Sequence, residues 1–132
     1  MTPQPSLPRV LIVDDEPTIC RALSIALRRA GYEPRSAETA AAAHSLLRHE
    51  RFDAMIVDLR IPDQRGDEFF ELAAALYPPL RHATLMTTGD TSERAFDLIH
   101  ACRVPYLVKP FDLAELIGVI DGFTTHTREA SA

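Results

Sequence analysis

Four places in the chain carry residue types suited to chemistry on phosphate: the acidic pair Asp14-Asp15, the carboxylate of Asp58, the hydroxyl of Thr88 before Gly89, and Lys109 before Pro110. Brought together, three carboxylates repel and raise one another's pKa unless a cation sits among them. A hard divalent ion is the natural one. Mg2+ (or Mn2+) takes oxygen ligands and is usually held by one or two carboxylates together with phosphate oxygens. Lysine supplies a compact mobile charge and threonine a hydroxyl donor, both suited to the equatorial oxygens of a transferring phosphoryl group. An aspartate can be the covalent acceptor. Metal, cation, hydroxyl and acceptor together make a phosphoryl-transfer site that works by positioning and charge neutralisation.

Taken singly, each feature has an ordinary explanation. Asp14-Asp15 ahead of a helix serves as a cap and dipole partner, and Asp58 as a strand-ending turn residue. Thr88-Gly89 is common turn chemistry, and a lone Lys109 usually snorkels at a surface. What matters is which elements would gather them.

The run Val10-Leu11-Ile12-Val13 reads as a strand buried on both faces. Asp14-Asp15-Glu16-Pro17 starts a helix, with an acidic residue able to cap it, and Ile19, Leu23, Ala26, Leu27 and Ala30 recur at helical spacing until Gly31. Tyr32 to Ala37 is a weak strand whose Pro34, lacking a donor, belongs at a sheet edge or a bulge. Thr39 to His49 is helical, and Ala54-Met55-Ile56-Val57 is a second buried strand ending at Asp58. After the loop Leu59 to Gly66, Asp67 to Tyr77 reads as a helix halted by Pro78-Pro79. Ala83 to Thr88 is a strand, Thr91 or Ser92 caps a helix to about Ala101, Tyr106-Leu107-Val108 is a short strand, and Asp112 caps a last helix through about Phe123.

Five β-α repeats predict a parallel sheet covered by helices on both faces, with ligand chemistry at the carboxyl ends of the strands. Asp14-Asp15, Asp58, Thr88-Gly89 and Lys109-Pro110 fall at four such ends. Independent accidents would have to place these residue types on one edge of one sheet.

Four segments carry a family resemblance: Val10-Leu11-Ile12-Val13-Asp14-Asp15-Glu16-Pro17, Val57-Asp58-Leu59-Arg60-Ile61-Pro62 with Gly66, Thr88-Gly89, and Tyr106-Leu107-Val108-Lys109-Pro110-Phe111. They resemble the signature segments of response-regulator receiver domains of two-component signalling systems. The resemblance covers about Arg9 to Phe123. It implies an α/β, flavodoxin-like, doubly wound five-stranded parallel sheet of order 2-1-3-4-5 with five helices in a single domain, which makes strand two an edge, in agreement with the edge reading of Pro34.

The resemblance further implies that Asp58 is the phosphorylation site, and that Asp14, Asp15, Asp58 and the backbone carbonyl of Arg60 hold magnesium. Thr88 and Lys109 would bind the phosphoryl group, and Tyr106 would be the aromatic switch residue that moves inward when Thr88 engages phosphate. The Lys109-Pro110 bond is expected to be cis. Arg60 and Asp90 would overhang the phosphoryl group from facing loops, and a bidentate pair between them would tune the lifetime of the phosphorylated state.

In such a phosphorelay the phosphate donor is a histidine kinase or a histidine phosphotransfer protein, and the surface of helix four, strand five and helix five controls a downstream protein or an excised output domain, or forms a dimer. The domain is not an enzyme, although it assists its own aspartyl phosphorylation and slow dephosphorylation. Pro34 in strand two and Arg103-Val104-Pro105 before strand five depart from the usual pattern, which leaves the shape of that partner surface open. Thr87-Thr88-Gly89-Asp90 with Val104-Pro105-Tyr106-Leu107 is similar to receivers attached to hybrid histidine kinases.

Rival functions fit less well. An aspartyl phosphatase of the haloacid dehalogenase type needs a second carboxylate two residues beyond the nucleophile, where this chain has Arg60. A flavodoxin-like cofactor binder needs hydroxyls and glycines in its first loop, where Asp14-Asp15-Glu16 would repel a phosphate. A degenerate receiver that is never phosphorylated would lack some of the five site residues present here.

Composition agrees. With 132 residues, 46% hydrophobic and 25% charged, the chain is sized for one core. Lys plus Arg number 14 against 19 acidic residues, and the net charge of -5 opposes direct nucleic-acid binding or attraction to an anionic membrane. A cytoplasmic location is expected, since no apolar run is long enough to span a membrane and no signal sequence is legible. Cys20 and Cys102 read as buried apolar residues, and the five scattered histidines form no metal pattern. Residues 1–8 are expected to be a flexible tail, 9–123 the receiver domain, and 124–132 a C-terminal tail or the start of a linker.

Overall fold

The structure, a computed structural model, describes residues 6–131. Most of the N-terminal tail expected at 1–8 therefore lies outside the described residues. Three strands, β1 (Arg9–Val13), β3 (Ala54–Asp58) and the later β6 (Thr84–Thr88), are buried almost throughout; β1 and β3 carry continuous apolar runs, and β6 buries Thr84, Thr87 and Thr88 beside Leu85 and Met86. With β2 (Glu33–Ala37) and β7 (Tyr106–Val108) they form a parallel sheet of order β2-β1-β3-β6-β7. Counting only these five strands, the order is the expected 2-1-3-4-5.

Successive residues of a strand face opposite sides, and the core divides accordingly. Leu11, Val13, Met55, Val57 and Met86 pack against α2 (Ala40–His49), α3 (Gly66–Leu76) and α4 (Glu93–Cys102). Val10, Ile12, Ala54, Ile56 and Leu85 pack against α1 (Pro17–Arg29) and α5 (Leu113–Ser131). No helix among the described residues is long and apolar enough to cross a membrane.

Pro34 sits in the edge strand β2, paired with Val10 of β1. The same edge carries charge: Arg9 and Arg35 both pair with Glu33 and Glu50 at 2.9–3.6 Å. A proline and four charged side chains make this edge a poor template for another strand.

Local differences from the sequence reading have physical causes. The N-cap of α1 is an acidic residue, Glu16, but it makes no side-chain cap bond; Asp14 Oδ1 instead accepts from the Glu16 N–H at 2.9 Å, and Pro17 opens the helix. Of the alternatives at α4, Ser92 is the cap, accepting from the Ala95 N–H at 3.2 Å. The loop after Asp58 is ordered as a small antiparallel hairpin, β4 (Arg60–Ile61) and β5 (Gln64–Arg65). Pro78-Pro79 end α3 but open a 3-10 turn, Pro78–His82. Helix α5 continues to Ser131, past Phe123, and buries Thr124, whose hydroxyl lies 2.9 Å from that of Tyr32.

Candidate functional site

The sheet delivers its chemistry to one edge. Asp14 follows β1, Asp58 ends β3, Thr88 ends β6 and Lys109 follows β7. Asp58 and Thr87 are register partners, and the Lys109 N–H donates to the Thr88 carbonyl at 2.8 Å, so strand pairing alone fixes their relative heights. The Lys109-Pro110 peptide is cis, as expected.

Lys109 ties the site together. Its ammonium donates to Asp58 Oδ2 at 2.6 Å, Asp14 Oδ2 at 3.0 Å and Glu16 Oε1 at 3.0 Å. Asp14 and Asp58 are buried, with only 2% and 5% of their surface exposed, so this cation is the main offset to two desolvated carboxylates. Burial raises the pKa of Asp58 above the ordinary carboxylate value, opposed by the hydrogen bonds from Lys109 and from the Arg60 N–H at 3.1 Å; the Asp14 charge adds to the rise. Burial also works against the charge of Lys109, but hydrogen bonds to Asp58, Asp14 and Glu16 outweigh it and raise its pKa above the usual lysine value.

The acidic pocket is larger than the sequence suggested. Carboxylate oxygens of Asp14, Asp15, Glu16 and Asp58 all lie within 4.8 Å of one another. An all-oxygen, carboxylate-rich donor set with two exposed members is the kind that accepts a hard divalent ion that keeps several waters. Glu16 was not assigned to the site from the sequence, although it continues the acidic run Asp14-Asp15.

An open cleft of about 620 Å³ lies over the pocket, lined among others by Asp15, Asp58, Arg60, Asp90 and Lys109. Arg60 and Asp90 meet across it, with Arg60 Nη2 donating to Asp90 Oδ2 at 2.6 Å. The pair is held at one point, not as the expected fork, because Asp90 Oδ1 already accepts from the Ser92 N–H at 2.9 Å. The hydrogen bonds from the Ser92 backbone and side chain, then that from Arg60, push the Asp90 pKa down to about 2.

Thr88 is buried at the end of β6, next to the cleft-lining Gly89, its hydroxyl engaged in a local turn. It donates to the Asp90 carbonyl and accepts from the Asp90 N–H, both at 2.9 Å. Tyr106 stands farther out on β7, half-buried, its ring 5.6 Å from each of Phe96 and His100 on α4. Both cysteines are buried, and burial pushes each thiol up to about 11, in keeping with a packing role.

Two residues around Asp58 have contacts that only the fold reveals. Gly66 packs directly on the Asp58 backbone: a Cβ there would lie 2.1 Å from the Asp58 carbonyl oxygen. Its place in the motif marked it, but only the fold shows what it touches. Asp63 accepts from the Ala40 N–H at 2.8 Å and the Ala41 N–H at 3.0 Å, joining the hairpin tip to α2. Nothing local in the sequence signals that bond across more than twenty residues.

Comparison with known proteins gives a consistent result. The profile of the response regulator receiver domain matches residues 10–121. The response regulator protein PilR of Pseudomonas aeruginosa is 34% identical over 108 residues, covering 82% of this chain and 24% of that protein. The DNA-binding transcriptional regulator NtrC of Proteus hauseri is 32% identical over 120 residues, covering 91% of this chain and 25% of that protein. The chain thus spans about a quarter of the length of these relatives. Among solved structures, a CheY-like receiver domain protein of Methanospirillum hungatei superposes with a TM-score of 0.83 at 29% identity, covering 94% of this chain and 99% of that one. The chemotaxis protein CheY4 of Vibrio cholerae gives 0.78 at 29% identity, covering 89% and 98%.

Proposed function

We propose, from the premise that this chain belongs to the response regulator receiver domain family, that it is a phosphorelay switch accepting a phosphoryl group on Asp58. The observation that carries this is the placement of the Lys109 ammonium between two buried carboxylates, 2.6 Å from Asp58 and 3.0 Å from Asp14, at the floor of an open acidic cleft. The donor is a histidine kinase or histidine phosphotransfer protein. The receiver unit comprises about residues 9–123, and it acts in the cytoplasm as a signalling domain that assists its own phosphorylation.

Mg2+ (or Mn2+), held by Asp14, Asp15, Asp58 and the Arg60 carbonyl, would supply charge neutralisation for the acceptor and the incoming phosphate. The chain's own residues do the rest. Asp58 Oδ attacks the phosphorus, the new bond joins that oxygen to phosphorus, and the bond to the donor breaks with its electron pair leaving on the donor. Lys109, 2.6 Å from Asp58 Oδ2, would follow the charge from the carboxylate to the equatorial oxygens of the phosphoryl group. Thr88 exchanges its turn bond to the Asp90 carbonyl for one to a phosphoryl oxygen. That movement leaves room for Tyr106 to turn inward, which remodels the surface of α4, β7 and α5 that engages a downstream protein, an output domain or a second receiver.

Arg60 and Asp90 set the lifetime of the product by screening the acyl phosphate from in-line water. Dephosphorylation should accelerate in both Arg60→Ala and Asp90→Ala, with the double variant adding little; additive effects would remove the lid. The acceptor itself is tested by intact-mass spectrometry after incubation with acetyl phosphate. The wild type should gain one phosphoryl group only when Mg2+ is present and Asp58→Asn none; equal labelling of that variant would place the acceptor elsewhere.

A further inference from the structure

The segment between the acceptor and Gly66 carries the Arg60 carbonyl, so whatever fixes that segment governs how well a cation is held. Its base is secured by the Gly66 N–H donating to the Leu59 carbonyl at 2.7 Å, by the Arg60 N–H on Asp58 Oδ1 at 3.1 Å, and by the pairing of Arg60 with Arg65. Buried Ile61 anchors its apolar side. Its tip, Pro62-Asp63, is exposed.

An exposed aspartate at a hairpin tip is ordinarily left to solvent. Here both oxygens are used, Oδ1 by the Ala40 N–H at 2.8 Å and Oδ2 by the Ala41 N–H at 3.0 Å, at the first turn of the ten-residue helix α2. These are charge-assisted bonds at the positive end of a helix. They lower the Asp63 pKa, the Ala40 bond most. Helix α2 has a separate cap of its own: Thr39 Oγ1 accepts from the Ala42 N–H at 3.0 Å and its carbonyl from the Ala43 N–H at 3.1 Å. The helix start is thus shared between a local cap and a clamp from the acceptor's loop.

We propose that Asp63 is a positioning residue for the divalent-ion site: by clamping the hairpin tip to α2, it fixes where the Arg60 carbonyl points. This rests on the metal pocket proposed above and adds a residue that touches neither ion nor phosphate. The two caps provide an internal control. Asp63→Ala and Thr39→Ala both weaken the start of α2, but only the first frees the loop.

The test is Mg2+ titration by calorimetry of the full chain, alongside thermal melts without metal. Both variants should melt lower than wild type. Asp63→Ala should raise the Mg2+ Kd about tenfold, the size of effect seen when a support behind a metal ligand is lost. Thr39→Ala should leave the Kd unchanged, and Asp63→Asn, which keeps one acceptor, should fall between. A wild-type Kd in Asp63→Ala, or an equal rise in Thr39→Ala, overturns the proposal; if Asp63→Ala does not fold, an unchanged Kd in Asp63→Asn does so. Absence of Mg2+ binding by the wild type would sink the metal pocket itself, and this inference with it.

Discussion

Replacing Gly66 by alanine sets two physical effects of opposite sign against each other. Gly66 is the first residue of α3, where alanine's helix propensity alone would favour the variant by at most about 1 kcal/mol. The close approach argues the other way. The new Cβ would lie 2.1 Å from the Asp58 carbonyl oxygen, 2.8 Å from Leu59 Cα and 2.9 Å from the Asp58 carbonyl carbon, all backbone atoms of the Asp58-Leu59 segment. Restoring ordinary contact means moving β3's end and α3's start apart by about 1 Å, and forced overpacking of this kind costs about 1–3 kcal/mol. The net expectation is a loss of about 1–2 kcal/mol in urea unfolding, together with slower phosphorylation because Asp58 itself moves. Gly118→Ala is the control: it lies in α5 with open space around the added carbon, and should be neutral or stabilising. A Gly66→Ala protein as stable as the wild type, phosphorylated at the wild-type rate, would refute the claim that Gly66 is required by contact with the Asp58 backbone.

Three further outcomes are expected. Lys109→Met leaves buried Asp14 and Asp58 without their cation and should lower stability by about 3 kcal/mol at neutral pH without metal, a loss that Mg2+ partly restores; an unchanged melting temperature would contradict the ion-pair geometry. Asp90 should titrate near pH 2 by carboxyl NMR, and its contribution to stability, fully present above the ordinary aspartate pKa, should be lost as pH falls from there through about 2. Since the hydrogen bonds at Ser92 are the larger cause, Arg60→Ala should keep most of the depression, and a return to an ordinary aspartate pKa would reverse that ranking. Arg103, which ends α4 in the left-handed region at φ 56°, should gain about 1 kcal/mol on replacement by glycine, read as a higher urea midpoint.

Much of this molecule was legible before folding because its signals are local. The apolar runs of β1 and β3 read as doubly buried strands, and the missing donor of Pro34 pointed to a sheet edge or a bulge, of which the fold shows the edge. Asp14, Asp15, Asp58, Thr88 and Lys109 were identified at strand ends, and the fold brings those ends to one edge of the sheet, where Asp15, Asp58 and Lys109 line one cleft. What stayed hidden depends on approach between distant segments. The hairpin after Asp58 rests on cross-loop pairing, the Asp63 clamp on the position of α2, and the crowding at Gly66 on how closely α3 meets β3. The single-point contact of Arg60 with Asp90 was missed because the competitor for the second oxygen, Ser92, lies two residues on and bonds through its backbone, which no side-chain pattern reveals. The end of α5 was read short because Thr124 looks like the start of a polar tail, while in the fold its hydroxyl is buried against Tyr32.

The central claim, that Asp58 is the residue that carries phosphate, is tested most directly by locating the acyl phosphate chemically. After phosphorylation with a small donor and Mg2+, borohydride reduction converts a phosphorylated aspartate to homoserine, and peptide sequencing by mass spectrometry reads the position. Homoserine should appear at position 58 alone and only in the sample that received Mg2+. Homoserine at 14 or 15, or at no aspartate under conditions where the protein binds the ion, would contradict it.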